Sequence, residues 1–160
     1  KGFDIPVLNY RAIIHGLSAS SFWDQGERNR ENKFNNYLNR YHRKHLDLMD
    51  LLSNFSSRSF ASLDHIARLS GFPGKLGEEG SKVWSQFLEG KEIEVKAYCE
   101  TDVVNTYLVY LKYLKLTGSV SKEEYEDSIL EIKNCLSKLL ESDKGLNQIK
   151  HWKTFINQWN

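Results

Sequence analysis

One helical stretch, Glu92 to Leu116, constrains this chain more than any other. Near its start stands Ala97-Tyr98-Cys99-Glu100-Thr101-Asp102-Val103-Val104. The apolar residues that follow (Val103, Val104, Tyr107, Leu108, Leu111, Leu114) recur at helical spacing. Tyr98 and Asp102 are four residues apart, so they share one face of one helical turn. The pattern predicts a helix packed on one side, with a phenol and a carboxylate presented on the other. By itself a Tyr-x-x-x-Asp pair is weak, because a packed Tyr beside a solvated Asp explains it equally well.

The 160 residues suffice for one domain with one good core. A formal net charge of +1 argues against a coat-like nucleic-acid binder, which draws its affinity from a large positive excess. It leaves room for an enzyme with a local basic groove. No run approaches the length of a membrane span, and no signal-peptide pattern is present. Cys99 and Cys135 fall in helical segments without ligand spacing around them. They read as free thiols, Cys99 as a small buried side chain, in a reducing, cytoplasmic setting. The chain opens on Lys1-Gly2-Phe3-Asp4 with no initiator Met, and Met49 is its sole methionine. It therefore reads as a piece of a longer protein.

Along the chain, Asp4 to Leu17 reads as a helix, with Asp4 as N-cap and Pro6 in the first turn. Ser18 to Asn39 is polar and reads as a long exposed loop with at most a short helical piece, anchored by Phe22 and Trp23. After the basic run His42-Arg43-Lys44-His45, the alternation in Leu46-Asp47-Leu48-Met49 predicts one short strand. Ser62 to Ser70 and Ser81 to Glu89 read as short helices, separated by the turn-rich Gly71-Phe72-Pro73-Gly74-Lys75. Ser121 and Glu124 form a capping box that opens a helix to about Ser142. A last helix, Leu146 to Trp159, carries Trp152 and Phe155.

Several residues have the chemistry of a site without the spacing of a strong motif. Asp4 suits an N-cap, and a carboxylate held at a helix start also suits a hard cation such as Mg²⁺. Asp47 and Asp50 are candidate ligands or the polar ends of a buried element. His42, His45 and Asp47 resemble a metal site only loosely, lacking the further Cys or His that zinc requires. The Gly71–Lys75 turn is not a phosphate-binding P-loop, but it offers an exposed Lys.

Taken in order, Gly-Phe-Asp-Ile-Pro-Val-Leu, His-Leu-Asp-Leu-Met-Asp-Leu-Leu, Ser-Leu-Asp-His-Ile-Ala-Arg-Leu-Ser-Gly-Phe-Pro-Gly-Lys and Tyr-Cys-Glu-Thr-Asp-Val-Val-Asn-Thr-Tyr-Leu resemble a family of predicted 3′–5′ exonucleases. That family is related to the proofreading exonuclease domain of family-B DNA polymerases, in the DEDDy subclass with a ribonuclease H-like α/β fold. The resemblance covers nearly the whole chain, as a single exonuclease domain with a helical end from about residue 119. It implies that Asp4 matches the acid of the second exonuclease motif, Asp102 the acid of the third, and Tyr98 the tyrosine that orients the attacking water. It also implies two divalent ions, Mg²⁺ or Mn²⁺, held in part by Asp4 and Asp102, and a single-stranded or frayed DNA 3′ end as substrate. RNA is the alternative substrate. A catalytically inactive nucleic-acid- or protein-binding module is the alternative function.

The first motif, Asp-x-Glu, does not occur in the chain. The resemblance thus implies a fragment without the first strands of the sheet, mostly α-helical, with one short strand near Leu46–Met49. Taken by itself, the fragment is expected to be inactive. Phe3, Arg43, Lys44 and Lys75 are the candidate nucleic-acid contacts.

Overall fold

The computed structural model describes residues 4–76, 80–141 and 146–159, with the side chains of 146–150 left out. The chain divides into two compact units, Lys1–Phe60 and Ala61–Asn160. Among the described residues it is mostly helical and has no strand.

The first unit holds α1 (Asp4–Ile14), α2 (Ser20–Trp23), a 3-10 turn at Arg30–Lys33, α3 (Leu48–Leu52) and a second 3-10 turn at Ser57–Ser59. Asp4 is the first helical residue of α1 rather than the residue capping it. None of this unit's described hydrophobic side chains is buried; its buried side chains are Asp24, Asn32, Asn36 and Ser53. Asp24 organises the loop. Its carboxylate accepts the backbone N–H groups of Gly26 (3.0 Å), Arg28 (3.1 Å) and Asn29 (2.9 Å) and the side-chain amide of Asn32 (2.8 Å). Asn36 continues the knot, donating to the Asn32 carbonyl and accepting the N–H groups of Leu38 and Asn39. Short polar side chains thus do here what helix or sheet ladders do elsewhere. Phe22 stacks on Tyr37 at 5.6 Å, whereas Trp23 is 53% exposed and is no anchor.

The strand expected near Leu46–Met49 is instead the entry to α3. Asp47 caps that helix, its carboxylate accepting the N–H groups of Met49 (3.0 Å) and Asp50 (3.2 Å). Within this short helix the Leu51 N–H bonds the Asp47 C=O at 3.0 Å, and the Asp47 carboxylate takes two of the N–H groups that the first turn leaves open. A strand needs a neighbour, and two alternating leucines do not outweigh the cap.

The second unit packs α4 (Leu63–Leu69), α5 (Val83–Leu88), α7 (Lys122–Glu141) and α8 (Leu146–Asn157) against the 25-residue α6 (Glu92–Leu116). At 1.5 Å per residue α6 spans about 37 Å, long enough to serve them all. Its end is set by Gly118 at φ +68°, where the Ser119 N–H turns back to the Leu114 carbonyl at 2.8 Å. The expected capping box opens α7, with Glu124 N–H to Ser121 Oγ at 3.1 Å and Ser121 N–H to Glu124 Oε2 at 2.7 Å. Leu108 and Phe155 are fully buried at the centre, with Ala67, Phe72, Leu111, Leu136 and Trp159 around them.

The buried face of α6 coincides only in part with the one its apolar residues suggest: Leu108 and Leu111 are buried as expected. Val103 is 67% and Tyr107 48% exposed, while the buried stripe runs Ala97, Tyr98, Thr101, Asn105, Leu108 and Leu111. Tyr98 therefore sits on the packed side, among polar neighbours that the packing encloses. Cys99, one residue on, is exposed rather than buried.

Candidate active site

Three of the residues singled out in the sequence meet in the second unit. Lys75 Nζ donates to the Tyr98 hydroxyl at 2.6 Å and lies 3.5 Å from Asp102 Oδ2. Asp102 Oδ1 is buried and has no hydrogen-bond partner among the described residues. Partial burial works against the charge on Lys75, but the Tyr98 hydroxyl and the Asp102 carboxylate outweigh it and hold its pKa above that of an ordinary lysine. Lys75 thus stays an ammonium, a pure donor. The Tyr98 oxygen accepts from it, which leaves the phenolic proton for another acceptor.

Lys75 owes its position to residues that are not among the candidates above. Asn105 is fully buried. Its side chain clamps Gly74 from both sides, accepting the Gly74 N–H at 3.2 Å and donating to the Gly74 carbonyl at 2.8 Å. Asp64 accepts the Lys75 N–H at 2.6 Å and the Arg68 Nε–H at 2.9 Å, and Arg68 also donates to the Lys75 carbonyl. Burial pushes the Asp64 carboxyl up, but the Lys75 N–H and the Arg68 guanidinium outweigh it and hold the pKa below the usual range. Gly74 takes φ +69°, and a Cβ there would stand 2.5 Å from Asp64 Oδ1, so only glycine fits between the clamps. Thr101 lines the same stripe, its hydroxyl donating to the Tyr98 carbonyl at 2.9 Å.

A signal for Asn105 was present in the sequence. It lies seven residues after Tyr98 and three after Asp102, so all three fall along one helical stripe. A polar residue on a buried face needs a partner, and a loop rich in Gly and Pro offers backbone groups to pair with.

The remaining candidates lie apart from this cluster in the chain. Asp4 is exposed at the start of α1, and Arg43 and Lys44 are exposed in the loop before α3, all in the first unit. Arg43 and Lys44 both donate backbone N–H groups to Asn35 Oδ1, and the Lys44 ammonium pairs with Asn32 Oδ1. Phe3 lies outside the described residues. His42 Nδ1 accepts the Asn36 N–H at 2.9 Å. Among the described residues no three His, Cys, Asp or Glu side chains gather as a metal site, so the loose grouping of His42, His45 and Asp47 does not form one.

No helix among the described residues is long and apolar enough to cross a membrane. No curated protein and no solved structure matches the chain. A family profile described as a predicted 3′–5′ exonuclease related to the exonuclease domain of PolB matches residues 1–159. That match spans nearly the whole chain, and the chain belongs to this family of predicted exonucleases related to the PolB exonuclease domain.

Proposed function

We propose that the protein is a 3′–5′ exonuclease that hydrolyses the terminal phosphodiester of single-stranded or frayed DNA, on a ribonuclease H-like scaffold to which this chain contributes mainly helices. Beyond the family match, the observation that carries this reading is the Asp102 carboxylate. One of its oxygens is tied to Lys75, and the other is buried and has no partner among the described residues. A desolvated carboxylate oxygen without a donor is unfavourable unless a cation meets it, so Asp102 fits a divalent ion such as Mg²⁺ or Mn²⁺. By the family resemblance Asp4, exposed at the first turn of α1, is also proposed as a metal-binding carboxylate. When bound, such ions make water a better nucleophile and stabilise the leaving 3′ oxygen.

The residues of the chain have their own tasks. Tyr98, accepting from Lys75, keeps its O–H directed away from the ammonium, where it can hold the attacking water. Lys75 keeps the phenol in one orientation and adds positive charge where a phosphate would arrive. Asn105, Asp64 and Arg68 hold the loop that brings Lys75 there.

The test is metal-dependent release of mononucleotides from a 3′-labelled oligonucleotide by the full-length protein. Asp102→Ala is expected to lower the rate by at least about 10³-fold, several kcal/mol of transition-state stabilisation. Asp4→Ala should also reduce turnover, and Tyr98→Phe should be milder because the carboxylates remain. Full activity in Asp102→Ala would sink the assignment. Parallel DNA and RNA oligonucleotides decide the substrate.

A second reading, a nucleic-acid- or protein-binding module without catalysis, draws on the lack of an Asp-x-Glu segment and of a three-ligand cluster among the described residues. Salt-dependent binding with no cleavage in Mn²⁺ would select it.

A further inference from the structure

The strongest charge asymmetry lies outside the candidate active site. Between Arg28 and His45 there are six Lys or Arg residues and one acid, Glu31, in a chain whose overall charge is +1. Arg28, Arg30, Lys33 and Arg43 are exposed along this loop. Two aromatic side chains stand out from the same segment, Phe34 at 77% and Tyr41 at 69% exposure. One exposed aromatic needs no explanation. Two of them, interleaved with four exposed cations, have the composition of a surface that pairs phosphates with charge and bases with rings.

The loop is also built to hold this surface in one shape. Asn35 Oδ1 accepts the N–H groups of Arg43 (3.1 Å) and Lys44 (3.0 Å), and the Asn36 N–H donates to His42 Nδ1 at 2.9 Å. The segments next to Phe34 and Tyr41 are thereby tied side by side. Tyr41 meets the edge of Phe55 at 4.8 Å, and the Arg40 guanidinium lies 5.1 Å from the same ring while pairing with Asp50 at 2.8 Å. With Asp24 and Asn36 fixing the backbone beneath, little ordering entropy is left to lose on binding.

We propose that the loop from Arg28 to His45 is a docking surface for single-stranded nucleic acid, with Phe34 and Tyr41 stacking on bases and Arg30, Lys33 and Arg43 meeting phosphates. A single strand is the occupant favoured over a duplex because its bases are free to stack. The inference rests on the exonuclease reading only for the identity of the strand; the surface is separate in sequence from Tyr98 and Asp102.

The test is fluorescence anisotropy of labelled oligo-dT and oligo-rU with the full-length protein in EDTA, so that binding is measured without cleavage. The double variant Phe34→Ala/Tyr41→Ala is expected to weaken binding about tenfold or more, since each stacked base is worth roughly 1–3 kcal/mol. Arg30→Ser/Arg43→Ser should weaken it and flatten the dependence of log K on log salt by about 1.4. An unchanged thermal melt and far-UV spectrum shows that the variants still fold, as their exposure predicts. If both double variants bind like the parent, or if a blunt duplex binds as well as the single strands, the proposal is overturned. Cleavage by the parent with unaffected binding in the variants would sink this surface and leave the exonuclease reading intact. Loop-dependent binding without metal-dependent cleavage would do the reverse.

Discussion

The two units of this molecule are held together by different physics. The second has an apolar interior, with Leu108 and Phe155 fully buried on α6 and α8 and Trp152 and Trp159 packed edge-on to Phe155. The first has a polar interior, in which Asp24, Asn32 and Asn36 take the place of a hydrophobic core among the described residues. Truncating a core side chain costs the burial of the atoms removed and leaves a cavity behind. Removing one acceptor from a hydrogen-bonded knot strands several donors at once. The candidate active site borrows from both, since a polar clamp at Asn105 is set into an apolar helix face.

Cutting the apolar unit at its centre would sharpen this contrast most. Phe155→Ala is expected to destabilise the second unit by about 3–5 kcal/mol, read by chemical denaturation. A loss under 1 kcal/mol would mean that Phe155 is not the keystone its burial suggests. Next in size is Asn105→Leu, which leaves the Gly74 N–H and carbonyl without partners. It should cost about 1–3 kcal/mol and, because Lys75 loses its mooring, also reduce exonuclease turnover. Stability lost with turnover unchanged would separate Asn105 from the site.

The smallest effect is local and depends on pH. Three backbone N–H groups, Arg28 foremost, with the Asn32 amide, hold the Asp24 carboxyl well below the usual carboxylate range. A depressed folded-state pKa stabilises above the unfolded value of 3.8 and is lost as pH falls through the folded value. The amide resonances of Gly26, Arg28 and Asn29 are therefore expected to hold their native shifts at pH 4 and move only well below it. Movement at pH 5 would show that the knot is looser than its geometry. Lys75 works in the opposite direction. Its pKa is raised, so its contribution is complete below 10.5 and fades only as pH climbs past that value.

Much of the helical framework was legible in the chain. Glu92–Leu116, the Ser121–Glu124 capping box and the short helix that follows Ser62, whose hydroxyl accepts the His65 N–H, are local devices, and the structure has each of them. The misleading signal at Leu46–Met49 is also local: the alternating leucines point to a strand, and the Asp47 cap decides for a helix. The error along α6 is of another kind. The apolar spacing marks Leu108 and Leu111, which are covered, but it also marks Val103 and Tyr107, which are exposed, and the covered side further takes in Tyr98, Thr101 and Asn105.

The sequence by itself determined the family, the helical segments and the pairing of Tyr98 with Asp102 on one turn, because order of motifs and spacing along a helix need no knowledge of what packs where. Only the tertiary structure decided that Lys75 joins that pair and that Asp102 keeps one oxygen buried and without a partner among the described residues. Lys75 and Tyr98 are separated by 23 residues. Their meeting depends on a glycine turn held by Asn105, Asp64 and Arg68, and no spacing rule along the chain encodes a contact made through three other side chains.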